Sequence, residues 1–157
     1  MSPFPFTTAL VTGASSGIGA KMAEQLGRAG VPTVLVARRG EKLREIAGQF
    51  DGFSVLEADL GTAAGQDAVM EAVGNVENPV DLVVNNAGFG TSGQFAEVDA
   101  NRLSDEVELN VKALTRISSA AARAMAARGS GYLLNVSSVA SFQPAPGLAV
   151  YAATKAY

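Results

Sequence analysis

Five short runs of apolar, often β-branched residues recur along the chain, and most are followed by a stretch with apolar positions at helical spacing. The runs are "TALVT" (8–12), "TVLVA" (33–37), "FSVLEA" (53–58), "VDLVVNN" (80–86) and "YLLNVSS" (132–138). Bounded by glycine, proline, asparagine and aspartate, they read as strands. Between them, "IGAKMAEQLGRAG" (18–30) carries Ile18, Met22, Leu26 and Ala29 on one helical face, and Gly30 stops it. "EKLREIAGQF" (41–50) predicts a short helix, and a further one covers roughly 62–74. A long helix is expected over 101–129, with Asn110 inside it and Gly129 and Gly131 beyond its end. After a loop with Pro144, Pro146 and Gly147, "YAATKAY" begins a last helix.

Strands that are almost continuously apolar and alternate with helices imply a parallel sheet covered on both faces. Right-handed crossovers make it doubly wound, an α/β fold with the expected strand order 3-2-1-4-5. The length of 157 residues suits one domain, 1–157. Ligands of such sheets bind beyond the carboxyl ends of the strands, so those positions are where chemistry is sought.

Composition removes several alternatives. Apolar residues make up 48% and charged residues 17%, enough for a core and against disorder. The net charge of −3 and the lack of a basic block argue against nucleic acid and anionic membrane as partners. Without cysteine there is no disulfide or thiolate metal site, and without histidine the commonest general base is missing. "MSPFPFTTALVTGASSGIG" does not look like a signal peptide, and no run is long enough to span a bilayer, so a cytoplasmic protein is expected.

After the first strand comes "TGASSGIG", in which Gly13, Ser15, Ser16, Gly17, Ile18 and Gly19 form a turn that opens a helix. Glycines let a backbone approach a pyrophosphate closely, and the helix N-terminus offers free N–H groups to that anion. An ATP-type phosphate loop needs Gly-Lys-Ser/Thr; here Gly19 is followed by Ala20, Lys21 and Met22. After the second strand, NAD folds place an acid on the ribose, whereas this chain has Ala37, then Arg38 and Arg39. Guanidinium matches a ribose 2′-phosphate, which favours NADP(H) over NAD(H), chiefly through Arg38; the plainer alternative is a solvated loop. Asp59, beside Leu60, reads equally as an acceptor for an adenine amino group or as a helix N-terminal acid. Asn86 is placed to tie neighbouring strands, and Ala87 and Gly88 admit a ligand near the backbone. Ser138, Tyr151 and Lys155 follow the fifth strand.

Together these motifs resemble the short-chain dehydrogenase/reductase family. The Gly-x-x-x-Gly-x-Gly turn is 13–19, Asn-Asn-Ala-Gly is 85–88, and Tyr-x-x-x-Lys is Tyr151 and Lys155. The family's helical asparagine and its serine match Asn110 and Ser138. The resemblance implies NAD(P)-dependent interconversion of a carbonyl and an alcohol, on a small-molecule substrate. Tyr151 would be the acid–base, Ser138 would hold the substrate oxygen, and Asn110 would hold a water linking Lys155 to solvent. Lys155 would bind the nicotinamide ribose, with Tyr151 also at the cofactor. Elementary electrostatics agrees: a cation about 4 Å from a phenol, at an effective dielectric of about 20, is worth about 4 kcal/mol. Free tyrosine titrates near pH 10, so that energy brings it within reach of neutral pH without any histidine.

The rival reading is a dinucleotide-binding module without turnover. Phe89, Phe142, Gln143 and Leu148 are placed either to touch substrate or simply to pack. The family pairs its long helix and its Tyr–Lys helix across two-fold axes, so a homodimer or homotetramer is expected. Family members run to about 250 residues, so the resemblance implies that further strands follow Tyr157. On that view the fifth strand lies at an unprotected edge, and Lys155 sits in a fraying last turn.

Overall fold

The structure is a computed structural model and describes residues 4–157. Five strands form one parallel sheet: β1 (Ala9–Thr12), β2 (Thr33–Ala37), β3 (Phe53–Glu57), β4 (Leu82–Asn85) and β5 (Tyr132–Asn135). Their order is β3-β2-β1-β4-β5, as the pattern predicts. Helices α1 (Gly17–Arg28), α2 (Gly40–Ala47), α3 (Ala63–Gly74), α4 (Ala100–Val107), α5 (Leu114–Arg128) and α6 (Ala149–Ala156) supply the crossovers and the layers.

Alternation along each strand divides the core into two. Leu10, Val36 and Val83 face a cluster with Val69 and Val73 of α3 and Ile117, Ala121 and Met125 of α5. Ala9, Val11, Leu35 and Val84 face the other, with Ala23 and Leu26 of α1 and Leu43 of α2. Burying a side chain such as Ile117 is worth about 1.5–3 kcal/mol, well above the helix-propensity cost of at most about 0.7 kcal/mol for a β-branched residue. The inner stripe therefore decides where α5 lies.

Beyond shifts of a few residues at element ends, the sequence pattern and the structure differ in places that bear on the site. The helix expected over 101–129 is interrupted by a π-helical turn, Glu108–Ala113, that centres on Asn110. The fourth strand ends at Asn85 rather than Asn86, because Asn86 turns its amide to the Thr12 carbonyl (2.9 Å) and its N–H to Thr12 Oγ1 (3.0 Å). The fifth ends at Asn135, level with its partner Asn85. Strand β5 lies at the sheet edge with Tyr132, Leu133 and Leu134 all exposed.

Candidate active site

Beyond the carboxyl ends of the strands lies a cleft of about 650 Å³. Every residue of the glycine-rich turn named from sequence lines it except Gly19, together with Arg38, Arg39, Asp59, Leu60, Asn86, Ala87, Gly88, Tyr151 and Lys155. Parallel strand order makes this convergence: all five strands deliver their following residues to one edge.

The turn is built around Asn86. Gly13 has a φ of 67°, and a Cβ there would lie 2.8 Å from Asn86 Nδ2. A Cβ on Gly19 would lie 2.4 Å from the same nitrogen and 2.5 Å from the Gly13 carbonyl oxygen. Gly19 is thus buried behind the cleft, where it lets α1 approach Asn86 and the Gly13 carbonyl closely. Thr12 anchors the arrangement: its hydroxyl donates to the Val84 carbonyl (3.2 Å) and accepts from the N–H groups of Asn86 (3.0 Å) and Ala87 (3.1 Å).

The two arginines diverge. Arg39 donates to Ser15 Oγ (2.9 Å) and Ser16 Oγ (2.6 Å), fastening the β2 end to the turn. Arg38 is exposed on the cleft wall and makes no hydrogen bond or ion pair among the described residues. Asp59 lines the cleft but spends Oδ1 on the Gly61 N–H (2.9 Å), so the local structural role is occupied. Leu60 is buried in the core beneath it.

On the opposite wall, the Tyr151 ring lies against Gly90, where a Cβ would come 2.9 Å from the ring. The Tyr151 hydroxyl has no hydrogen-bond partner among the described residues. Lys155 Nζ donates to the Val136 carbonyl (2.9 Å), and burial pushes this ammonium below the usual lysine range. A Cβ on Gly88 would lie 3.3 Å from Lys155 Nζ and 2.8 Å from Asn110 Oδ1, so only glycine fits between them.

Asn110 is buried and does not line the cleft. Its side chain grips Phe89 as a strand partner would, donating to the carbonyl (2.8 Å) and accepting from the N–H (3.1 Å). It also donates to Thr154 Oγ1 of α6 (3.0 Å). The side chain is thus a brace between the β4 loop and α6. The Phe89 ring borders the cleft, with the Arg102 guanidinium 3.8 Å above it. Ser138 stands apart from the cleft lining, where it caps a 3-10 turn (Val139–Ser141) by accepting the Ala140 N–H (3.2 Å). Phe142 is 87% exposed, and neither it, Gln143 nor Leu148 lines the cleft.

Sequence reasoning did not assign Thr12, Leu109, Val136 or Ser137, all of which anchor or line the site. Three of them stand at strand carboxyl ends, which was signal enough. Leu109 had none, because its direction depends on the π turn.

A sequence profile of the family described as short chain dehydrogenase matches residues 7–157. The chain belongs to the short-chain dehydrogenase family. An uncharacterised oxidoreductase of Staphylococcus epidermidis is 35% identical over 149 residues, covering 94% of this chain and 65% of that protein. Among solved structures, a bulky-bulky ketone specific alcohol dehydrogenase from Comamonas testosteroni superposes with a TM-score of 0.91 at 36% identity. That match covers 98% of this chain and 63% of the other. A short-chain dehydrogenase from Sphingobium yanoikuyae in complex with NADPH gives 0.89 at 38% identity, covering 95% and 60%. The chain therefore spans about two thirds or less of the length of these family members.

Proposed function

We propose that the protein to which this chain belongs is an NADP(H)-dependent oxidoreductase that interconverts a carbonyl and an alcohol. The observation that carries the reading is the meeting of two sets of residues in one cleft. The glycine turn and Arg38 form one wall, and Tyr151 and Lys155 form the other. The glycine-rich turn suits a dinucleotide, since Gly13, Ser15, Ser16, Gly17 and Ile18 edge the cleft at the start of α1. When bound, the nicotinamide cofactor would supply or accept a hydride. Arg38, with no bond to the protein, is available for a ribose 2′-phosphate, while Arg39 holds Ser15 and Ser16 in place beneath it.

The chain's own residues would handle the proton. The Tyr151 hydroxyl, unbonded to protein, would give its proton to a carbonyl oxygen in reduction and take it back in oxidation. Lys155, which lines the same cleft as Tyr151, is placed to meet the ribose. Ser138 donates no hydrogen bond to protein, so its hydroxyl hydrogen is available to a substrate oxygen. Asn110 would act through its grip on Phe89 and Thr154, holding the loop and α6 at a fixed separation. A homodimer or homotetramer through α4, α5 and α6 completes the proposal, and light scattering on the full-length protein tests it.

The decisive test of function is Tyr151→Phe in the full-length protein. Turnover of a carbonyl panel with NADPH should fall at least about 10³-fold, with NADPH affinity nearly unchanged. Retention of most activity would remove the tyrosine from its role.

A further inference from the structure

Lys155 is held at two points by consecutive residues. Its ammonium donates to the Val136 carbonyl (2.9 Å), and its own carbonyl accepts from Ser137 Oγ (2.6 Å). Ser137 and Val136 directly follow β5, so both holds are referred to the sheet. Proton counting identifies the stronger bond. A serine has one O–H. Ser141 spends its proton on the Ser138 carbonyl (2.6 Å), and the Ser137–Ser141 contact is longer, at 3.2 Å. The single Ser137 proton thus belongs to the Lys155 carbonyl.

Two side chains that reach α6 bear on the reacting pair. Asn110 reaches Thr154, whose hydroxyl in turn donates to the Tyr151 carbonyl (2.8 Å). Ser137 reaches Lys155.

We infer that Ser137 is a positioning residue: its hydroxyl fixes the height of Lys155, and through the shared helix that of Tyr151, relative to the end of β5 that carries Ser138. The inference rests on the function proposed above. It differs from the role of Ser138, because Ser137 acts on the protein's own backbone and not on substrate. Displacement of reacting groups by about 1 Å can cost on the order of 100-fold in rate, so a single hydroxyl at this place has leverage.

The test uses the full-length protein with Ser137→Ala and Ser137→Thr. Steady-state kinetics over a pH range, NADPH titration by fluorescence, and amide hydrogen exchange across α6 are measured together. The alanine variant should lose about 10-fold or more in kcat and change the shape of its pH profile. Its KM and NADPH affinity should move less than about 3-fold, and exchange should quicken around Lys155. Threonine, which keeps the hydroxyl, should restore most of both. Unchanged kcat and exchange in the alanine variant would overturn the clamp. So would a loss confined to NADPH affinity, which would make Ser137 a cofactor contact, or a rate loss that threonine fails to rescue. A wild-type protein without any turnover would instead overturn the proposed function, and the exchange measurement would still decide the clamp.

Discussion

Single atoms separate residues that look alike in the sequence. Arg38 and Arg39 are neighbours of one type, yet only Arg39 is committed to the glycine turn. Arg38→Asp should therefore shift preference from NADPH toward NADH without unfolding the protein, as read by titrating both cofactors. Equal affinities in the unmodified protein would contradict the proposal. Gly19 is the strictest position in the turn, since a Cβ would meet Asn86 Nδ2 and the Gly13 carbonyl, and backbone cannot yield cheaply. Gly19→Ala should cost about 1–3 kcal/mol of stability and weaken NADPH binding about 10-fold or more, measured by urea unfolding and titration. Glu106 is fully buried on α4, with both carboxylate oxygens lacking a hydrogen-bond partner among the described residues. An unsatisfied buried polar group costs about 1–3 kcal/mol. Glu106→Leu should accordingly raise the melting temperature; a lower one would mean that the carboxylate has a partner such as buried water.

Elements are joined by side-chain bonds that span long stretches of chain. The residue leading into β1 is stapled to β4 by Thr7, whose N–H (2.9 Å) and hydroxyl (2.7 Å) both donate to Asp81 Oδ2. The Thr7 hydroxyl bond, opposed by burial and aided by the Thr7 N–H and the Arg128 guanidinium, holds the Asp81 carboxyl below the usual range. The sign follows from that direction. A carboxyl with a depressed folded pKa contributes stability that is present above its unfolded value, near 3.9. That stability is lost as pH falls through the lower folded value. Thr7→Val should therefore cost about 0.5–1 kcal/mol near neutral pH, a figure reduced for partial exposure. The gap to wild type should close in acid, as followed by urea unfolding at several pH values. The π turn is the corresponding device in the α4–α5 helix. It places Asn110 against Phe89 and α6, while Glu108 accepts from the Gln66 amide of α3 (2.9 Å). That amide, with the Lys112 ammonium, draws Glu108 below its ordinary range.

At the scale of the molecule, one edge of the sheet is apolar. Tyr132, Leu133 and Leu134 of β5 are each about two-fifths exposed, and no charge or proline lies within the strand to discourage pairing. A polypeptide of residues 1–157 should self-associate through this edge. Leu133→Lys should slow that association in light scattering, and no change would place the contact elsewhere. Side-chain bonds tie α6 to the rest of the molecule. Both ends of Lys155 are held by residues following β5, and the Tyr157 hydroxyl accepts from Thr115 (2.9 Å).

What the sequence by itself determined is whatever depends on local period and residue type. Almost continuously apolar runs gave the five strands and their double covering, and glycines at 13, 17 and 19 marked the turn that opens α1. Residues at strand ends were legible because a parallel sheet must bring those ends together. The tertiary structure alone decided the pairings: which arginine holds the turn, that Asp59 caps its own turn, and that Asn110 braces Phe89 rather than facing the cleft. It also decided that Ser137 lines the cleft while Ser138 caps a turn beside it. The physical reason is range. Periodicity reports which face of an element is buried, whereas a hydrogen bond between residues 18 to 75 positions apart depends on strand order, helix placement and rotamer, which no local pattern encodes.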